Sequence, residues 1–192
     1  MSNYSSIDWN IKLSSDVPTA VIDTVNALYE HSFEANVDFS KLPNTEAALK
    51  WGEQQRALNV FANYGSHVDG ELPERIPLSK DNLYINAKTS TNYTYGAMIE
   101  FINWLAPWVV NKDEVLAVFR NEDTGGFNEL DFGDIIGYNE DGLAAVIPYK
   151  LSHCQFGDIL NAMDSPEVTE SYLKLSYVKN TKYEPPYNGF GC

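Results

Sequence analysis

Carboxylate side chains are concentrated in one stretch of this chain, residues 121–171, which holds eleven acidic residues and one basic residue, Lys150. The whole chain of 192 residues has a formal charge of −14, and this stretch contributes −10 of it. Folds normally mix both signs on their surface, because a single-sign field makes the compact state repel itself. Carboxylates at this density can bind a divalent cation or attract a basic partner. The acidic residues are Glu122, Asp123, Glu129, Asp131, Asp134, Glu140, Asp141, Asp158, Asp164, Glu167 and Glu170.

Calcium and zinc motifs are incomplete in this sequence. Asn121, Asp123 and Gly126 have the spacing of the first half of an EF-hand loop. The twelfth position of that loop requires a bidentate Glu, and Phe132 occupies it here. Zinc requires three or four closely spaced His or Cys ligands, whereas the three histidines and two cysteines of this chain are scattered. We therefore expect neither a calcium nor a zinc site.

Residues for nucleophilic catalysis are also poorly placed. His153 and Cys154 are adjacent, and adjacent residues on a strand point to opposite faces. The sequence has neither the GxSxG motif of hydrolases nor the glycine-rich motifs that bind nucleotide phosphates. These observations favour a non-enzymatic protein without a cofactor. The enzymatic alternative is a small hydrolase that holds Mg²⁺ or Mn²⁺ between carboxylates such as Asp131 and Asp134.

The acidic residues are expected to lie on strands and turns. A strand over residues 127–132 would place Glu129 and Asp131 on one face and apolar residues on the other. The Asp-Gly pair that ends the segment 139–142 predicts a tight hairpin between strands 135–138 and 143–147. We therefore expect an acidic surface on one face of these strands, with the hydrophobic core against the other face. Its predicted members are Glu122, Asp123, Glu129, Asp131, Asp134, Glu140 and Asp141.

A helix predicted over residues 93–106 is apolar around most of its circumference. An ordinary surface helix buries a single stripe, so its second side must be covered or serve a partner. The region 31–80 is one candidate cover. The other interpretation is an exposed aromatic patch in which Trp104 and Trp108 are anchors for a partner or for a second copy of the chain. The apolar residues are Ala97, Met98, Ile99, Phe101, Ile102, Trp104, Leu105 and Trp108.

The remaining segments complete the pattern of elements. Alternating apolar residues predict strands over residues 7–13 and 83–87, and an apolar stripe after Pro18 predicts a helix. A second helix is expected to begin at Asn44. Residues 115–119 are apolar on both faces, which predicts the central strand of a sheet.

The element order β-α-α-β-α-β-β-β predicts an α+β fold, a largely antiparallel sheet with helices packed on one face. A ferredoxin-like core agrees with this order, with 31–80 as an inserted helix and loop region. We expect residues 1–175 to form a single domain and residues 176–192 to form a C-terminal tail.

Composition and charge narrow the functional classes. Strong acidity disfavours direct binding to nucleic acid or to an anionic membrane. The N-terminus lacks a basic region followed by an apolar run, and no apolar stretch reaches the ~20 residues of a membrane span, so we expect a cytoplasmic protein.

The charge favours a non-enzymatic protein that imitates the phosphates of DNA and blocks a basic nucleic-acid-handling protein. Restriction, CRISPR and toxin nucleases are such targets, and their inhibitors are carried by phages and other mobile elements. The other binding alternative is a structural phage or assembly protein that associates through Trp104 and Trp108.

Overall fold

The computed structural model describes residues 5–63, 75–91, 94–121 and 134–146. These residues form three α-helices, α1 (Thr19–His31), α2 (Thr45–Gly52) and α3 (Tyr95–Leu105). They also form the strands β1 (Ser5–Trp9), β2 (Ile11–Lys12), β3 (Tyr84–Ile85), β4 (Lys88–Thr91), β5 (Ala117–Asn121), β6 (Asp134–Tyr138) and β7 (Ala144–Val146). Short 3₁₀ helices cover Ser32–Glu34, Phe39–Lys41 and Ala57–Phe61.

Five of the strands form one antiparallel sheet in the order β4-β1-β5-β6-β7. Strand β5 lies at its centre, and both of its faces are buried: Phe119 on the face shared with Ile7, and Val118 on the face shared with Asp8. The predicted central strand is therefore confirmed. The predicted α+β arrangement is confirmed as well, whereas a ferredoxin-like core is not.

The first predicted strand is divided between two sheets. β1 pairs with β4 and β5, while β2 pairs with β3 in a separate two-stranded sheet. Asn10 lies between them and is buried, so its polar groups need partners inside the protein. Its backbone N–H donates to the Leu116 carbonyl, and its Nδ2 donates to the Val115 carbonyl at 2.7 Å. Asn111 Nδ2 donates to the Asn10 carbonyl at 2.9 Å. These hydrogen bonds satisfy Asn10 at the position where the chain passes from one sheet to the other.

Helix α1 begins after Pro18, as the sequence predicts, because Pro at a helix start lacks only an N–H that would have no helical partner. Its buried residues are Val21, Ile22, Thr24, Val25 and Leu28. Asn26 ties the helix to the segment before β3. Its side chain accepts from the Leu78 N–H at 2.7 Å and donates to the Leu78 carbonyl at 2.9 Å.

The helices pack on the Trp9 face of the sheet around a cluster of aromatic rings. Phe101 of α3 lies at its centre, with ring centroids 5.5 Å from Trp9, 5.1 Å from Trp51 and 5.3 Å from Phe61. Trp51 stacks on Trp104 at 5.0 Å. Residues of the 31–63 region thus share one hydrophobic core with the sheet and α3.

Candidate functional site

The predicted acidic surface lies only partly within the described residues. Asp134, Glu140 and Asp141 are described, and all three are exposed. The predicted members outside the described residues are Glu122, Asp123, Glu129 and Asp131, and the strand predicted over 127–132 lies outside them too.

The turn between β6 and β7 is the predicted tight hairpin, and its hydrogen bonds fix its shape. Asn139 Oδ1 accepts from the backbone N–H groups of Asp141 and Leu143, both at 3.0 Å. The Asn139 N–H donates to the Leu143 carbonyl at 2.9 Å, and the Gly142 N–H donates to the Asn139 carbonyl at the same distance. Gly142 has a φ of +73°, a left-handed conformation that glycine adopts without strain. Glu140 and Asp141 therefore stand together at a well-defined tip.

The hairpin is also fixed to helix α3. The Ala144 N–H donates to Asn103 Oδ1 at 2.8 Å, and the Tyr138 hydroxyl donates to the Ile102 carbonyl at 3.1 Å. Burial raises the pKa of Tyr138 well above its ordinary value, so its hydroxyl keeps its proton near neutral pH. The two tip carboxylates are thus presented by a hairpin that has few ways to move relative to the core.

The tip carboxylates differ in ion pairing from two other exposed acids, Asp38 and Glu46. Asp38 lies 2.8 Å from Lys41, and Glu46 lies 2.9 Å from Lys50. In each pair the side-chain hydrogen bond from lysine is the main cause that lowers the pKa of the acid. Glu140 is in none of the ion pairs formed among the described residues, and neither is Asp141. Among the described residues, no lysine or arginine therefore neutralises either tip carboxylate.

Asp134 lies apart from this tip. It begins β6, whereas the hairpin follows the end of that strand, so strand geometry puts about 15 Å between them. Its charge acts on Tyr95, whose pKa is raised mainly by burial and secondarily by the Asp134 carboxylate. The sequence predicted that these three acids share one surface. In the structure, only Glu140 and Asp141 lie together.

Trp104 is not the exposed anchor that one interpretation of the sequence suggested. Its side chain is 0% exposed, its Nε1 donates to the Pro43 carbonyl at 2.8 Å, and its ring stacks on Trp51 at an interplanar angle of 23°. The alternative interpretation is correct, because residues of the 31–80 region cover this side of α3. Trp108 is half-buried and packs against the same core.

Leu143 is a feature of the hairpin that sequence reasoning missed. The alternating pattern assigned it to a strand, but it lies at the end of the turn with 54% of its surface exposed. Val146 at the end of β7 is 42% exposed. The position of Leu143 directly after Asp-Gly was the one available signal, since a residue that closes a tight turn lies at the rim of a sheet.

Across the described ranges, no three His, Cys, Asp or Glu side chains are grouped so that they could hold a metal ion. None of the helices in that part of the chain has the length and apolar character of a membrane span. Comparisons of the chain with protein-family models, with curated proteins and with solved structures gave no match.

Proposed function

We propose that the protein is a non-enzymatic, cytoplasmic inhibitor that docks on a basic surface of a nucleic-acid-handling protein such as a nuclease. The observation that carries this proposal is the hairpin tip, where two exposed carboxylates have no ion-pair partner among the described residues. The tip lies within the stretch that contributes most of the net charge of −14. The other predicted acids, Glu122, Asp123, Glu129 and Asp131, would extend the same surface.

The chemistry of the tip suits a positively charged partner. Two adjacent carboxylates can accept hydrogen bonds from Arg or Lys side chains that would otherwise hold DNA phosphates. Leu143 beside them offers an apolar contact, which adds affinity at the centre of a charged interface. Because Asn139 already fixes the turn, little conformational entropy is lost when the tip binds.

A pair of charge-matched variants tests the proposal. Glu140→Gln with Asp141→Asn removes two unpaired charges from the tip. Asp38→Asn with Glu46→Gln removes two charges that already pair with lysines, and it changes the net charge by the same amount. Both proteins are screened for binding to a panel of basic nucleases, beginning with restriction, CRISPR and toxin nucleases. Association rates are measured as a function of salt.

We expect the tip variant to lower the association rate about three- to tenfold at low salt, and the control variant to change it less. The difference should shrink as salt increases, because exposed charges are screened. Equal losses in both variants would mean that only the total charge matters. Binding that neither variant weakens would reject the tip as a docking surface.

A further inference from the structure

The tip of the β6–β7 hairpin contains a peptide bond that is suited to a covalent modification. Asp141 and Gly142 are adjacent there, and both are exposed. Among the described residues beyond its two chain neighbours, no atom lies within 4 Å of the position that a Cβ would occupy on Gly142. Because glycine has no Cβ, its backbone nitrogen meets the least steric hindrance when it approaches the side chain of the preceding residue.

The reaction that such a pair undergoes is isomerisation through a cyclic imide. The Gly142 nitrogen attacks Cγ of the protonated Asp141 carboxyl, and the N–H proton and the carboxyl hydroxyl leave together as water. This closes a five-membered succinimide ring. Water then breaks one of the two C–N bonds of the ring. Breaking the bond at Cγ restores aspartate, whereas breaking the bond at the main-chain carbonyl gives isoaspartate, in which the main chain runs through Cβ and Cγ.

The hydrogen bonds of the turn oppose the first step. The Gly142 N–H donates to the Asn139 carbonyl at 2.9 Å. Asn139 Oδ1 accepts from the N–H groups of Asp141 and Leu143, both at 3.0 Å, so one side chain fixes the backbone on both sides of Gly142. The nitrogen must give up its hydrogen bond and its proton before it can attack Cγ, so the turn has to open first.

We propose that Asp141 is a site of isoaspartate formation, and that the hydrogen bonds of Asn139 suppress the reaction while the hairpin is closed. The rate then follows the population of hairpins in which the turn has opened locally. The product keeps a negative charge at the tip. It also lengthens the main chain between Asn139 and Leu143, whose hydrogen bond closes the turn, so the hairpin loses its geometry. This modification is independent of the proposed docking function.

Incubation of the full chain at neutral pH and physiological temperature over several weeks tests the site. Peptide mapping with electron-transfer fragmentation distinguishes isoaspartate from aspartate at position 141. Asn139→Ala removes the side-chain acceptor, and Asn139→Asp is the matched control that keeps an acceptor oxygen. Asp141→Glu checks the assignment, because its longer side chain would have to close a six-membered ring, which forms far more slowly. The wild type in urea gives the rate for the open chain.

We expect isoaspartate at position 141 to accumulate at least about threefold faster in Asn139→Ala than in the folded wild type, and at least about tenfold faster in urea. Asn139→Asp should react as the wild type does, and Asp141→Glu should form far less product. Equal rates in the folded wild type and in Asn139→Ala would overturn the protective role of Asn139. No isoaspartate at position 141 in urea would overturn the site itself. If Asn139→Ala fails to fold, equal rates for the wild type with and without urea would overturn the protection by the turn.

Discussion

Replacing Trp104 by Phe separates a structural role of this indole from a role in binding. The substitution removes the Nε1 hydrogen bond to the Pro43 carbonyl (2.8 Å) and part of the ring that stacks on Trp51. Loss of the hydrogen bond costs about 1 kcal/mol. The space left by the smaller ring costs about 1–2 kcal/mol more, since a packed core relaxes only partially. We therefore expect the free energy of unfolding to fall by roughly 2–3 kcal/mol.

Urea unfolding followed by circular dichroism measures this change. Trp108→Phe is the matched control, because Trp108 is half-buried and its replacement should cost less than about 1 kcal/mol. The two variants should differ in unfolding midpoint and share the same denaturant slope. If Trp104→Phe and Trp108→Phe were equally stable, or if Trp104→Phe lost partner binding while keeping its stability, the structural role would be refuted.

Three further predictions follow from single contacts. Asn26→Ala should lower the free energy of unfolding by about 1–3 kcal/mol, because it leaves the Leu78 N–H and carbonyl without their partner; urea unfolding measures it, and an unchanged midpoint would contradict it. Gly52→Ala should destabilise the protein even though Ala favours helix, because the new Cβ would lie 2.7 Å from the Phe39 ring; in a Phe39→Ala background, which lacks those ring atoms, the same substitution should cost less. Burial raises the pKa of Tyr138 in the folded state, so the unfolded chain loses this proton more readily than the folded one. The resulting stabilisation of the folded state is complete below the unfolded pKa near 10, and it is lost as pH rises above that value. Alkaline titration of the wild type should thus show unfolding that Tyr138→Phe shifts to higher pH.

Much of the local structure could be predicted because each signal is contained in a few neighbouring residues. The stripe after Pro18 gave helix α1, the two apolar faces of residues 115–119 gave the central strand β5, and Asp-Gly gave the hairpin that holds Gly142 at φ +73°. In all three cases the residue types and their spacing restrict the backbone to one conformation.

Features that depend on distant residues could not be predicted. Nothing near Asn10 indicates that the strand divides there, because its partners Val115 and Asn111 lie about a hundred residues away in the chain. Asn44 does begin helix α2, but in a left-handed conformation, with its side chain bonded to the Trp104 carbonyl rather than to the helix. Local sequence defines where an element begins, and tertiary contacts decide what its polar groups bind.

The candidate docking tip shows the same division between local and distant information. The turn sequence requires Glu140 and Asp141 to face solvent, so their exposure could be expected. Whether a lysine neutralises them could not be expected from the turn sequence, because lysines of other segments can also approach the hairpin. Lys112 Nζ lies 6.0 Å from the centroid of the Tyr138 ring, over an aromatic face, and forms no ion pair with the tip carboxylates. Whether a surface carboxylate is neutralised within the protein therefore depends on tertiary contacts that no count of acidic residues could reveal.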